Sequence, residues 1–232
     1  IIKLITIYFY NMKIKLLSAL FFSLFILNAV NAQKKEKIKY QADELRYLRE
    51  NKEPVRKLIN NVIFKQGTLT ITCDSANFYN KRNTMEAYGN IKITDIDSLI
   101  ITGNKLIYDG NKKIAKLREN VIYTKNNYEL RTNFLDYNIE NKIGKFFDYG
   151  LLKENENNLR SKDGTFYAQD KYSIFYNDVE FEGPEYILFT DSLKYNSRNE
   201  VIETYGSTKI VTQDSIYVNS LGGNFETKKK SS

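Results

Sequence analysis

Asp-Ser pairs recur at Asp74-Ser75, Asp97-Ser98, Asp191-Ser192 and Asp214-Ser215, and they are the residues of this chain whose type and repetition could do chemistry. Two carboxylates flanking a glycosidic bond can hydrolyse it, provided they converge on that bond at a set separation. The 232 residues include no histidine, which excludes Ser-His-Asp, Cys-His and zinc-protease arrangements. There is no P-loop, no dinucleotide fingerprint and no dense acidic calcium loop, so no cofactor or metal is expected. Cys73 is the only cysteine, so no internal disulfide can form, and its expected role is a small buried filler in a strand. Two of the Asp-Ser pairs fall at a strand position and two in a turn. Their recurrence therefore follows from a structural repeat, and the chain reads as a non-enzyme.

The repeat is about 29 residues long. An aromatic residue marks it at Tyr79, Tyr108, Tyr137, Tyr167, Tyr195 and Phe225, with steps of 29, 29, 30, 28 and 30. A second marker, an apolar residue opening a strand, falls at Val62, Ile91, Val121, Leu151 and Val179, with Thr208 in the sixth place. Two ladders with one period indicate units that cannot bury their own apolar faces and must stack on their neighbours. Eighteen tyrosines and fourteen phenylalanines against two prolines favour sheet.

Each unit contains two strands. Strict alternation at Ile91-Lys92-Ile93, Val121-Ile122-Tyr123 and Val179-Glu180-Phe181 puts the first and third residues on one face. In the second strand, Leu106 and Tyr108, Leu135 and Tyr137, and Leu193 and Tyr195 share a face in the same way. Short Asn-, Asp- and Gly-rich turns at both ends join antiparallel neighbours, because parallel ones need a crossover. Mid-strand glycines at Gly89, Gly103 and Gly206 are places where a strand can bend. The expected fold is all-β: a repeat-built antiparallel meander of about thirteen bent strands with an inner apolar crease, extending on the order of 60 Å. The apolar face either closes on itself like a sandwich, which is the commoner outcome, or stays partly open for an apolar ligand. The end strands leave open edges ready to pair with another sheet.

From Met12 the chain reads as a basic n-region, an apolar run from Leu16 to Leu27 and a small-residue cleavage site ending at Ala32. Residues 1–32 are thus expected to be a signal peptide with an over-extended start, the true one being Met12. A short linker follows at 33–37, then one β-repeat domain over 38–227 and a basic tail at 228–232. An uncleaved inner-membrane anchor is the other reading of the leader, since the run approaches the length of a membrane span. Loss of Lys3, Lys13 and Lys15 with the leader lowers the formal charge from +7 to +4. That mild excess is unconcentrated, so nucleic acid is not an expected partner.

The segment Glu86-Ala87-Tyr88-Gly89-Asn90-Ile91-Lys92-Ile93 and the Asp-Ser-Leu-x-Tyr element at Asp191 to Tyr195 resemble the OstA-like family of lipopolysaccharide-transport proteins. Weaker copies run from Ile38 to Thr227. The resemblance implies a β-taco, or open β-jelly roll, in the periplasm whose crease shields lipid A acyl chains and helps bridge the inner and outer membranes. Carried onto this chain, the crease is lined by Ile91, Ile93, Leu106, Tyr108, Val121, Tyr123, Leu135, Tyr137, Val179, Phe181, Leu193 and Tyr195. The implied partners are lipopolysaccharide and other bent-sheet transport proteins joined by edge-strand pairing, including copies of this chain head to tail. The competing reading is a structural or adhesive cell-surface β-solenoid with parallel coils and a closed aromatic core. Antiparallel strand order separates the two.

Overall fold

Alternating apolar and polar residues between polar turns do build strands. The computed structural model describes residues 36–96, 98–214 and 216–227. The expected leader, most of the linker, Asp97, Ser215 and the basic tail lie outside these residues. The strands run in order: β1 (Lys39–Gln41), β2 (Glu44–Glu50), β3 (Glu53–Gln66), β4 (Leu69–Tyr79), β5 (Thr84–Asp95), β6 (Leu99–Asp109), β7 (Ile114–Lys125) and β8 (Tyr128–Asn138). They continue as β9 (Ile143–Phe146), β10 (Gly150–Glu154), β11 (Asn157–Ser161), β12 (Asp163–Tyr167), β13 (Tyr172–Glu182), β14 (Tyr186–Asn196), β15 (Val201–Thr212) and β16 (Tyr217–Glu226). No helix occurs among the described residues.

All sixteen strands belong to one sheet and every pairing is antiparallel. No parallel coil is present among the described residues, so the solenoid arrangement falls. β1 and β2 both pair with β3, β9 and β10 both with β8, and β11 and β12 both with β13. Each of these pairs is one long strand interrupted midway, which leaves thirteen long strands in a meander.

The sheet bends along one shared level, and the bend has a residue signature on alternate strands. The ladders shift register between Ile59 and Val62, Tyr88 and Ile91, Arg118 and Val121, Tyr176 and Val179, and Tyr205 and Thr208. Left-handed residues occupy the gaps at Asn60-Asn61, Gly89-Asn90, Glu119-Asn120 and Asn177-Asp178, with Asp148-Tyr149 joining β9 to β10 and Gly206 on β15. This conformation crowds Cβ against the backbone, and Asn, Asp and Gly adopt it most readily. Gly89 has a second reason: a Cβ there would stand 2.3 Å from Asp74 Oδ2. The expected bend at Gly103 does not appear as such, because that glycine faces inward on the unbulged partner strand, opposite Ile91.

The facing strand braces each corner. Asn61 donates to Asp43 Oδ2 at 2.7 Å, Asn90 to Asp74 Oδ2 at 2.9 Å and Asn177 to Asp163 Oδ2 at 2.9 Å. The Asn120 amide donates to Asn133 Oδ1 at 3.2 Å, and the Ser207 amide to Asp191 Oδ2 at 3.2 Å. Asp74 and Asp191, the two in-strand members of the Asp-Ser series, are therefore corner braces. They lie eight strands apart in the sheet order, roughly 38 Å at the usual strand spacing. A glycosidase dyad requires about 5–9.5 Å, so they cannot act on one bond.

The bends fold the sheet into two facing leaves with the apolar residues between them. Three ladder positions shift by one from the sequence expectation. Phe166 is buried inside while Tyr167 points out and stacks on Tyr172 with ring centroids 4.3 Å apart. Gly150 takes the inward place expected of Leu151, opposite Thr132. The cause is Phe146, whose ring lies over Gly150 and Gly164 and fills the space where their side chains would be. At the N-terminal end Phe78 is the inward aromatic, whereas the Tyr79 hydroxyl donates to Glu50 and Glu86 and Arg82 lies over its ring. Thr208 is inside as read, its hydroxyl 2.9 Å from that of Thr190.

Candidate functional site: the crease and its seam

Alternation along each arm determines which side chains point between the leaves, and the bend determines which of them meet. Ile91, Ile93, Val121, Tyr123, Val179 and Phe181 stand on the arms beyond the bulges of β5, β7 and β13. Leu106, Tyr108, Leu135, Tyr137, Leu193 and Tyr195 stand on the far arms of β6, β8 and β14. The register places these two sets on opposite leaves, since the far arm of β5 pairs with the near arm of β6. All twelve are at most 2% exposed and belong to one continuous core. The interior is filled by the chain's own side chains. Cys73 shares it, and burial raises its thiol to about 12.

The aromatic residues concentrate at mid-length. Tyr123 packs against Phe166, Tyr137 and Tyr128 with centroids 4.6, 5.4 and 5.9 Å apart. Phe166 and Tyr128 were missed in the sequence reading. The signal for Phe166 was present: it lies 29 residues from both Tyr137 and Tyr195.

Opposite the bend, the leaves meet along a seam of side-chain ties. The Ile38 amide donates to Asn83 Oδ1 at 3.1 Å and Asn83 Nδ2 to the Glu36 carbonyl at 3.5 Å, while Tyr108 Oη donates to Gln66 Oε1 at 2.6 Å and Gln66 Nε2 to the Gly110 carbonyl at 2.8 Å. Tyr128 Oη lies 3.4 Å from Ser173 Oγ, Asn157 donates to Tyr195 Oη at 3.4 Å, and Tyr186 Oη donates to the Glu226 carbonyl at 3.1 Å. Among the described residues no backbone-to-backbone hydrogen bond crosses this seam. One lip is itself laced by such bonds, from Gly110 to Asn83, Ile139 to Lys113, Ala168 to Lys142, Ser197 to Lys171 and Thr227 to Glu200. The seam is thus the hinge-free side of the fold, with one stiffened lip.

At mid-length the seam opens into a cavity of about 590 Å³. Tyr123 and Phe166 form its floor, Lys125 to Tyr128 with Glu154 and Asn155 one wall, and Tyr167 to Gln169 with Lys171 to Ser173 the other. Glu154 Oε2 is buried without a hydrogen-bond partner, and the buried Tyr123 hydroxyl lies beside that of Tyr137. Burial raises the Glu154 carboxyl above its ordinary 4.5; Glu200 adds to the rise, while the Tyr195 hydroxyl and Lys171 oppose it. Because the folded value lies above the unfolded one, the stability contributed by the neutral carboxyl is full below the unfolded value and is lost as pH rises through the folded one. Glu154→Gln removes this dependence. Thermal unfolding of both proteins from pH 4 to 7 is expected to show the variant gaining on the wild type as pH rises, and parallel profiles would contradict the assignment.

No group of three or more Cys, Asp and Glu residues that could hold a metal ion occurs among the described residues. The sequence model of a family described as OstA-like protein matches residues 34–191. Among solved structures, the chain is similar to LptH, described as the LptA homologous periplasmic component of the conserved lipopolysaccharide transport device from Pseudomonas aeruginosa. That match has a TM-score of 0.42 and 15% identity, and covers 49% of this chain and 83% of LptH. No curated protein matches the chain.

Proposed function

Because the chain belongs to the OstA-like protein family, we propose that it is a periplasmic lipopolysaccharide carrier that shields acyl chains between its two leaves and helps bridge the membranes for outer-membrane assembly. One observation carries this reading: a continuous apolar interior lies behind a seam closed by single side-chain hydrogen bonds and not by a strand ladder. Parting the lips breaks no strand ladder. Each tie contributes about 1 kcal/mol. An acyl chain brings about 0.8 kcal/mol for every CH₂ it buries, so roughly ten methylenes outweigh the ties of the seam. The leaf-to-leaf contacts given up are replaced by contacts to the chain that enters.

Both ends of the sheet support docking to further bent sheets. β2 pairs only with β3, and β16 only with β15, among the described residues. Tyr47 and Leu48 on the first edge and Tyr217 and Leu221 on the last are exposed. Edge pairing at these strands, with OstA-type partners or with further copies of the chain, extends the crease end to end. A periplasmic location is part of this proposal, and the leader expected from the sequence at residues 1–32 is what supports it.

The test is photocrosslinking in cells with a photoreactive phenylalanine analogue at position 137, against the same group at position 136. Tyr137 is inside, while Asp136 points outward to Arg118 at 2.8 Å. Lipopolysaccharide is expected on the position-137 protein alone. Equal capture at both positions, or capture only at 136, rejects the crease as the path.

A further inference from the structure

We propose that the seam cavity above Tyr123 and Phe166 is a seat for a polyhydroxylated, sugar-like head group, distinct from the apolar crease beneath it. Joining that head to an acyl tail rests on the carrier reading above; the head seat itself does not.

A pyranose has an apolar C–H face and a ring of hydroxyls that both donate and accept. Its match is an aromatic surface surrounded by amides and carboxylates. The cavity has this lining: Tyr167 stacks on Tyr172, Asn127 donates to Asn155 Oδ1 at 2.6 Å, and Gln169 and Glu154 stand beside them. Its volume of about 590 Å³ falls within the range of small-molecule sites.

A buried atom also asks for a ligand. Glu154 is 8% exposed, yet its Oε2 has no hydrogen-bond partner. Leaving such a group unmade is costly inside a protein, and a ligand hydroxyl satisfies it. The charges favour a neutral head over a polyanion, since Lys125, Lys142 and Lys171 are set against Glu154 and Glu200 in one lining. The floor is the aromatic layer of the crease itself, so a head seated here has its tail side directed into the apolar interior.

Calorimetric titration of the full chain with dodecyl maltoside below its micellar concentration, with maltose and with dodecanoate separates head from tail. Dodecyl maltoside is expected to bind at least about tenfold more tightly than dodecanoate, and Glu154→Gln and Gln169→Ala each to weaken it about tenfold. Dodecanoate binding should be unchanged by either variant. Gln169 is an exposed turn residue, so its variant keeps the test valid if Glu154→Gln perturbs the fold. Maltose bound as tightly as dodecyl maltoside, and weakened by both variants, upholds the seat while rejecting the acyl crease. Equal affinity for dodecyl maltoside and dodecanoate, insensitive to both variants, overturns the seat and leaves the crease standing. Binding of none of the three overturns both.

Discussion

Tyr137→Ala is expected to lower the unfolding free energy by about 3–5 kcal/mol, the range for deleting a buried aromatic side chain. The ring is 1% exposed and packs against Tyr123 and Phe166. Its cross-strand neighbours are Ala115 and Gly144. Neither carries atoms that can swing into the space, so the cavity stays open and the loss falls toward the upper end. For a chain of this size each kcal/mol moves the midpoint by about 2–4 °C, giving a drop on the order of 10 °C. Asp136→Ala is the control. That carboxylate pairs with Arg118 at 2.8 Å and Lys116 at 3.8 Å, both partly in solvent, and such pairs are worth at most about 1 kcal/mol. Urea unfolding of the two variants beside the wild type decides the matter. Comparable losses at adjacent positions are incompatible with one facing in and the other out.

Gly144→Val is expected to destabilise by about 3 kcal/mol or more, at or beyond the usual upper limit for overpacking. A Cβ at this position would stand 2.1 Å from Phe166 Cζ and 2.3 Å from Cε1, deep inside any allowed contact. In other repeats the equivalent inward place, paired with a ladder tyrosine, holds Met85, Ala115, Ser173 and Ile202, all buried, so a side chain is forbidden only where the Phe166 ring occupies the room. Phe166→Leu made alone loses part of the aromatic cluster, but made in the Gly144→Val background it should recover stability. The double-mutant cycle then shows a large coupling that relieves the clash. Strict additivity of the two losses would show that ring and glycine do not share the space.

Much of this architecture is legible in the residues because a pleat has a period of two. Once Ile91-Lys92-Ile93 or Leu193-Lys194-Tyr195 alternates, the side on which each residue lies follows, and the antiparallel meander follows from the short polar turns. The reading failed where neighbouring residues were both apolar. Phe166 and Tyr167 are both good ladder members by type, as are Leu151 and Leu152. Only the presence of Phe146 over Gly150 and Gly164 decides which of them turns inward, and that ring comes from another strand. The corner braces were hidden for a similar reason. Asp74-Ser75 and Asp191-Ser192 repeat like a catalytic element, and what reveals their role is a bond to the corner some sixteen positions away, to the left-handed Asn90 and to Ser207 next to the left-handed Gly206.

By itself, then, the sequence determined the repeat length, the strand-turn rhythm, the apolar face and the absence of histidine-based chemistry, since each depends on residue type and local spacing. Tertiary structure alone decided that the sheet folds at one shared line of corners and that Ile91 and Leu106 stand on opposite leaves. It also decided that the seam is held by ties such as Gln66 to Tyr108 and opens over Tyr123. These features depend on contacts between residues tens of positions apart, such as the 42 that separate Gln66 from Tyr108, and such contacts form only when bend, twist and register act together.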